Sequence, residues 1–156
     1  MTALKPIQIA DYFISSHPDD IQLTPMKIIK LVYIAHGWHL GLTGKPLIDE
    51  KPQAWKFGPV IPSLYRRFKH FKASKVLRDD NIPPSPPLDE NIQAFLDKIW
   101  EVYGDNDGVA LSSKTHKAGT PWSKTWAKVM EDPFKNNLEI PDDLIEAHYK
   151  SLKLNN

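Results

Sequence analysis

The stretch that decides the fold of this chain is residues 25–41, PMKIIKLVYIAHGWHLG. Its apolar residues cover nearly every direction around a helix, whereas a surface helix is apolar on one face only. Thr24 precedes Pro25, and a threonine cap followed by proline is a typical helix start. The sequence therefore predicts a buried central helix.

Two histidines on this helix are candidate metal ligands. His36 and His39 are three residues apart, so they share a face and could reach one ion. However, the helix contains no acidic residue, and the usual helical zinc motif spaces its histidines by four with a glutamate between them. The helical wheel places both histidines on the side that we expect to be buried, opposite Lys27 and Lys30. We interpret them as structural, and we expect no metal and no cofactor.

The remaining chain reads as mainly helical. Residues 89–103 place apolar side chains at i, i+3, i+4, i+7, i+8 and i+11, which predicts a one-sided helix lying against the central one. Weaker patterns, several of them starting at proline, predict helices at residues 7–16, 62–71, 107–117, 121–131 and 141–152.

Residues 45–60 differ from the rest of the chain. Within them Gln53, Trp55 and Phe57 alternate with Ala54 and Lys56 after a polar turn, which predicts a small β-hairpin. We therefore expect a mainly α fold, a compact bundle of about six to seven helices around a buried central helix, with a hairpin between the second and third helices. The proline-rich residues 82–87 are interpreted as a strap within one domain, residues 1–156, because each half alone would be marginal in size.

Composition excludes several classes of protein. The 156 residues include no cysteine, which excludes disulfides, zinc-thiolate sites and thiol catalysis. Twenty basic against nineteen acidic residues supply no strong field for holding a phosphate backbone. The chain has no apolar run of about 18 residues and no signal-peptide pattern, so we expect a cytoplasmic protein without a membrane partner.

Residues 111–126, LSSKTHKAGTPWSKTW, bring serine, threonine and histidine together and raise the hypothesis of a hydrolase. Nucleophilic catalysis needs a base oriented by a third group, and the chain has no G-x-S-x-G elbow. A histidine-metal hydrolase stays a rival hypothesis, but we do not expect an enzyme. The same residues predict a tight corner between two helices, with Gly119 as a left-handed cap.

A corner over residues 111–130 also resembles a helix-turn-helix in which Lys124 and Lys128 would touch phosphates. A DNA-binding transcriptional regulator is therefore the alternative function. The near-neutral charge argues against DNA as a partner, and the apolar residues of the second helix favour core packing; these are Trp122, Trp126, Val129 and Met130.

Residues 54–68, AWKFGPVIPSLYRRF, join the hairpin to a helix through Gly58 and Pro59. Beyond that joint, Tyr65 is followed by Arg66 and Arg67. The segment is either a packed connection with a solvated basic face or a protein-binding surface, because interfaces favour aromatic residues and arginine.

Two segments of the chain, residues 27–69 and 111–126, resemble the Panacea antitoxin domain family, which includes SocA-like proteolytic adaptors and GepA-type phage-associated proteins. The resemblance rests on uncommon residues in a fixed order, among them Gly37-Trp38-His39, Ala54-Trp55-Lys56, Gly58-Pro59-Val60, Thr115-His116 and Pro121-Trp122. It implies that His39 belongs to a helix scaffold.

The resemblance further implies an antitoxin that binds its cognate toxin directly and blocks it, and that is usually encoded next to that toxin. In the SocA-like branch the antitoxin instead delivers the toxin to a ClpXP-type protease. The residues that we predict to bind the toxin or to shape the interface are Trp55, Lys56, Phe57, Tyr65, Arg66, His116, Trp122 and Trp126. The predicted scaffold residues are Trp38, His39, Gly58 and Pro59.

Overall fold

Seven α-helices and one hairpin form the regular structure of the described residues, 2–132, 134 and 137–152, in the computed structural model. The helices are α1 (Pro6–Ser16), α2 (Pro25–Thr43), α3 (Pro62–Phe68), α4 (Glu90–Tyr103), α5 (Gly108–His116), α6 (Pro121–Glu131) and α7 (Asp142–Ser151). The strands are β1 (Gln53–Trp55) and β2 (Gly58–Val60), and a 3-10 turn, Lys69–Phe71, continues α3. The predicted mainly α fold with a hairpin after the second helix is confirmed. Within the described ranges, no helix has both the length and the apolarity to cross a membrane.

Helix α2 is the centre of the molecule. Thr24 caps it by accepting a hydrogen bond from the Lys27 amide, and Gly44 ends it with a left-handed φ of 74°. All residues from 27 to 40 are buried, because α1, α3, α4, α5 and α7 all pack against this helix. The prediction of a buried central helix is confirmed, and α4 lies against it as expected.

Lys27 and Lys30, which the helical wheel placed opposite the side expected to be buried, are buried as well. They are 0% and 4% exposed. Lys27 Nζ lies 2.6 Å from Asp20 Oδ2 and donates to the Gly104 carbonyl, while Lys30 Nζ donates to the Pro59 carbonyl at 2.6 Å. A helical wheel of α2 alone cannot show this, because the covering groups come from other parts of the chain.

The hairpin is shorter than its predicted range. Trp55 pairs with Gly58 across an antiparallel register, which leaves Lys56 and Phe57 as a two-residue turn. The predicted alternation therefore fails at Phe57, which is in the turn and 71% exposed. Gly58 has a φ of 122°, a conformation that side-chain-bearing residues rarely adopt.

The corner between α5 and α6 matches the sequence prediction only in part. Thr120 caps α6 by accepting from the Ser123 amide at 3.2 Å, as expected. Gly119 is left-handed but lies in the turn, because α5 already ends in an extended Lys117. Met130 is 70% exposed, so its expected place in the core is wrong.

Candidate functional site

A cleft of about 640 Å³ opens between the hairpin, the start of α2, α3 and α6. Its apolar lining consists of Pro25, Met26, Ile29, Trp55, Phe57, Val60, Tyr65, Trp126 and Val129. Its polar lining consists of Lys30, Lys56, Lys69, Lys72 and Asn137. Among the described residues, no acidic side chain lines the cleft. The site is therefore an apolar groove with positive charge at its floor and rim.

Aromatic side chains from three elements form one wall of this cleft. The Trp55 ring packs edge-on against Tyr65, with 4.9 Å between the ring centroids. Trp122 donates its indole N–H to the Trp55 carbonyl at 2.7 Å and stacks on Trp126, with centroids 5.6 Å apart. These contacts hold the wall in one geometry, which lowers the entropic cost of binding a partner.

The hairpin turn presents an aromatic ring at the edge of the cleft. Phe57 is 71% exposed, and Lys56 Nζ lies 5.5 Å from its ring centroid. The Phe57 carbonyl accepts a hydrogen bond from Ser112 Oγ at 2.9 Å, which fixes the turn against α5. An exposed aromatic on a fixed backbone is typical of a binding anchor.

Lys30 lies at the floor of the cleft, and burial lowers its pKa to about 8. Its ammonium donates to the Pro59 carbonyl, and no carboxylate of the described residues forms an ion pair with it. Gly58 lies against the same side chain, since a β-carbon there would be 3.3 Å from Lys30 Cε. Gly58 and Pro59 thus position the lysine.

The structure brings five of the eight predicted interface residues into the cleft lining: Trp55, Lys56, Phe57, Tyr65 and Trp126. Arg66 is exposed on α3 outside the lining. His116 and Trp122 lie behind the wall, edge to face at 5.5 Å. Sequence reasoning missed Lys30, Lys69 and Lys72, although a lysine inside an otherwise apolar helix was a usable signal for Lys30.

Ser112 and His116, which raised the hypothesis of a hydrolase, lie within hydrogen-bond distance of each other on α5. Ser112 Oγ lies 3.1 Å from His116 Nδ1, but its single proton is donated to the Phe57 carbonyl. The hydroxyl thus contacts both the hairpin backbone and the imidazole of its own helix. This pair ties α5 to the hairpin.

His36 and His39 both make structural hydrogen bonds. His36 Nδ1 accepts from the Leu47 amide at 3.3 Å, and its Nε2 faces Asp142 Oδ1 at 3.3 Å. His39 Nδ1 donates to the Lys45 carbonyl at 2.6 Å, and burial lowers the pKa of this histidine. The histidines connect α2 with the loop that follows it and with α7. In the part of the chain that the structure describes, no cluster of three or more potential ligands could hold a metal ion.

The family model of the antitoxin SocA-like, Panacea domain matches residues 28–123. These residues include the hairpin, α3 and most of the buried central helix. The chain belongs to this family. This Panacea-domain chain is also 29% identical over 147 residues to Antitoxin SocA of Caulobacter vibrioides (strain NA1000 / CB15N), an alignment covering 86% of the chain and 76% of the relative. No solved structure matches it.

Proposed function

We propose that this Panacea-domain chain is the antitoxin of a toxin–antitoxin module and neutralises its cognate toxin by direct protein–protein binding at the cleft. Membership in the antitoxin family supports the role. The proposed position of the toxin-binding surface rests on the cleft, where an aromatic wall, an exposed Phe57 and a basic rim lie together.

The surface around the cleft suits a protein partner. A stable complex buries roughly 1,600 Å² in total, with a few aromatic or basic residues supplying most of the affinity. A second groove shares Met26 and Lys72 with the cleft and carries Ile21 and Val109, which are 81% and 68% exposed. The apolar surface therefore continues beyond the cleft, as an extended interface requires.

The proposed mechanism involves no catalysis. The antitoxin occupies a surface that the toxin needs, and the bound complex is inactive. The environment of Ser112 Oγ, the candidate nucleophile, supports a noncatalytic mechanism, because this hydroxyl is buried and donates a hydrogen bond to the hairpin backbone.

Phe57→Ala tests the location of the interface. Wild type coexpressed with the toxin encoded beside it should rescue growth and copurify with the toxin. Loss of the exposed ring should weaken toxin binding about 10- to 100-fold, the range expected when an aromatic anchor is truncated. Calorimetric titration measures the affinity, and circular dichroism should show an intact fold because Phe57 contributes little to the core.

Leu42→Ala is the matched control, because Leu42 is 59% exposed near the far end of α2 and lines no described part of the cleft. It should bind and rescue like wild type. If Phe57→Ala binds the toxin as tightly as wild type does, the interface does not include the hairpin turn and lies elsewhere on the protein. If the complex forms but rescue is lost in cells lacking the ClpXP-type protease, the antitoxin delivers the toxin for proteolysis and does not act by blocking it. Binding to operator DNA without any binding to the toxin would favour the transcriptional-regulator alternative.

A further inference from the structure

We infer that Lys30 is the recognition point of the cleft for a carboxylate, and that the toxin segment docking there is acidic and carries a large apolar side chain beside the acid. The inference rests on the proposed antitoxin function and names the chemistry of the partner. The carboxylate pairs with Lys30 Nζ while the apolar side chain packs against the wall formed by Trp55 and Trp126.

The first argument is the incomplete pairing of a buried cation. Lys30 is 4% exposed, and the described residues give its ammonium one hydrogen bond, to the Pro59 carbonyl at 2.6 Å. An ammonium has three donors, and a buried charge is costly unless it is paired. Three positions earlier, Lys27 has a carboxylate partner as well as a carbonyl, Asp20 Oδ2 and the Gly104 oxygen, both at 2.6 Å. None of the residues that the structure describes supplies such a carboxylate to Lys30, which opens onto the cleft, where a partner can supply one.

The second argument is the charge of the surroundings. Lys56, Lys69 and Lys72 line the same cleft, and no described acidic residue does. Positive charge of this kind attracts an acidic segment and accelerates its association. Burial lowers the pKa of Lys30 because it disfavours the charged form, and a carboxylate beside the ammonium favours that form.

The third argument concerns the size of the ligand. A small carboxylate would satisfy Lys30 but leave the apolar lining uncovered. Through Met26 and Lys72 the lining continues into the groove of Ile21 and Val109. A protein segment covers both surfaces at once, which is why we assign the carboxylate to the toxin chain.

Lys30→Met tests the inference, because methionine keeps much of the length of the side chain and removes its charge. The affinity for the cognate toxin should fall at least 10-fold, since the partner carboxylate is then buried without a counterion. Lys45→Met is the matched control, because it also removes one lysine charge but at an exposed position just after the C-terminal end of α2. It should bind like wild type. The thermal midpoint of Lys30→Met should not fall, so that reduced affinity cannot be attributed to unfolding.

Zero-length carbodiimide cross-linking of the wild-type complex provides a second measurement that needs no variant. An ion pair at this site should yield a cross-linked peptide joining Lys30 to an aspartate or glutamate of the toxin, identified by mass spectrometry. Unchanged affinity in Lys30→Met, or cross-links that join the acidic residues of the toxin only to lysines outside the cleft, overturns the inference while leaving the antitoxin function standing. If wild type does not bind the toxin at all, the proposed function fails, and the inference fails with it.

Discussion

At the scale of single residues, two lysines on the same buried helix differ in the partners of their ammonium groups. Lys27 forms an ion pair and also lies 4.8 Å from the Trp100 ring centroid. Within the described ranges Lys30 has a carbonyl as its one partner, and burial lowers its pKa from 10.5 to about 8. The second lysine therefore reduces the stability of the free protein, which is a common property of residues that serve binding.

Lys30→Met should stabilise the free protein at pH 7 by at most about 3 kcal/mol, the linkage value of a pKa lowered from about 10.5 to about 8, less the cost of leaving the Pro59 carbonyl without its donor. Below pH 8 the lysine is charged in both states and its burial is fully unfavourable. Between pH 8 and 10.5 the folded state releases its proton first, so wild type recovers this stability and the advantage of the variant shrinks. Urea unfolding at pH 7 and pH 9.5 measures both values.

The comparison at each pH should be made between the two proteins rather than across pH values. Tyr33 and Tyr149 have pKa values raised by burial, so high pH destabilises wild type and variant alike. Lys45→Met is again the control and should leave stability unchanged at both pH values. A stabilisation of equal size at pH 7 and pH 9.5 would show that charge burial is not its source.

At the scale of secondary-structure elements, the packing of α7 on α2 depends on glycine. A β-carbon at Gly37 would clash with the ring of Tyr149, and one at Gly41 would lie 2.9 Å from Tyr149 Cβ. Tyr149 itself is 5% exposed. The two glycines therefore leave a groove on α2 that the tyrosine of α7 fills, which outweighs the low helix propensity of glycine.

Gly37→Ala should destabilise the fold by about 1–3 kcal/mol through overpacking, although alanine favours an isolated helix by about 1 kcal/mol. Equilibrium urea unfolding gives the difference. The cost should be smaller when Tyr149→Leu is already present, because the obstructing ring is then absent. A Gly37→Ala variant as stable as wild type would contradict the close approach of these two helices.

At the scale of the whole molecule, Trp38 joins three helices into one core. Its indole N–H donates to the Tyr103 hydroxyl of α4 at 2.9 Å, and its ring packs edge-on against Tyr149 of α7 at 5.2 Å. The side chain is 2% exposed. Stability of the bundle, including the elements that shape the cleft, therefore depends on this residue.

Trp38→Ala should cost on the order of 3–5 kcal/mol, because a large buried ring is replaced by a cavity and a hydroxyl loses its partner. This is comparable to much of the stability of an ordinary domain. Thermal unfolding followed by circular dichroism measures the loss. Trp38→Phe should cost less, since it keeps most of the packing. An unchanged melting temperature in Trp38→Ala would be incompatible with the position of this tryptophan.

The sequence alone determined the elements whose causes are local. The apolar coverage of residues 25–41 predicts the buried helix, and Thr24 and Thr120 predict two helix starts, because caps and periodicity depend on neighbours a few positions apart. The family resemblance follows from the same contiguous segments and is confirmed. Five of the predicted interface residues line the cleft, although their role as toxin contacts stays a prediction.

Only the tertiary structure decided which of these residues meet. The Pro59 carbonyl reaches Lys30 across 29 positions, and Trp122 reaches Trp55 across 67. Such contacts depend on the packing of helices and hairpin, so local periodicity could show neither the burial of both lysines nor the exposure of Phe57. The cleft takes its apolar wall and its charged floor from four separate elements, and their juxtaposition exists only in the folded chain.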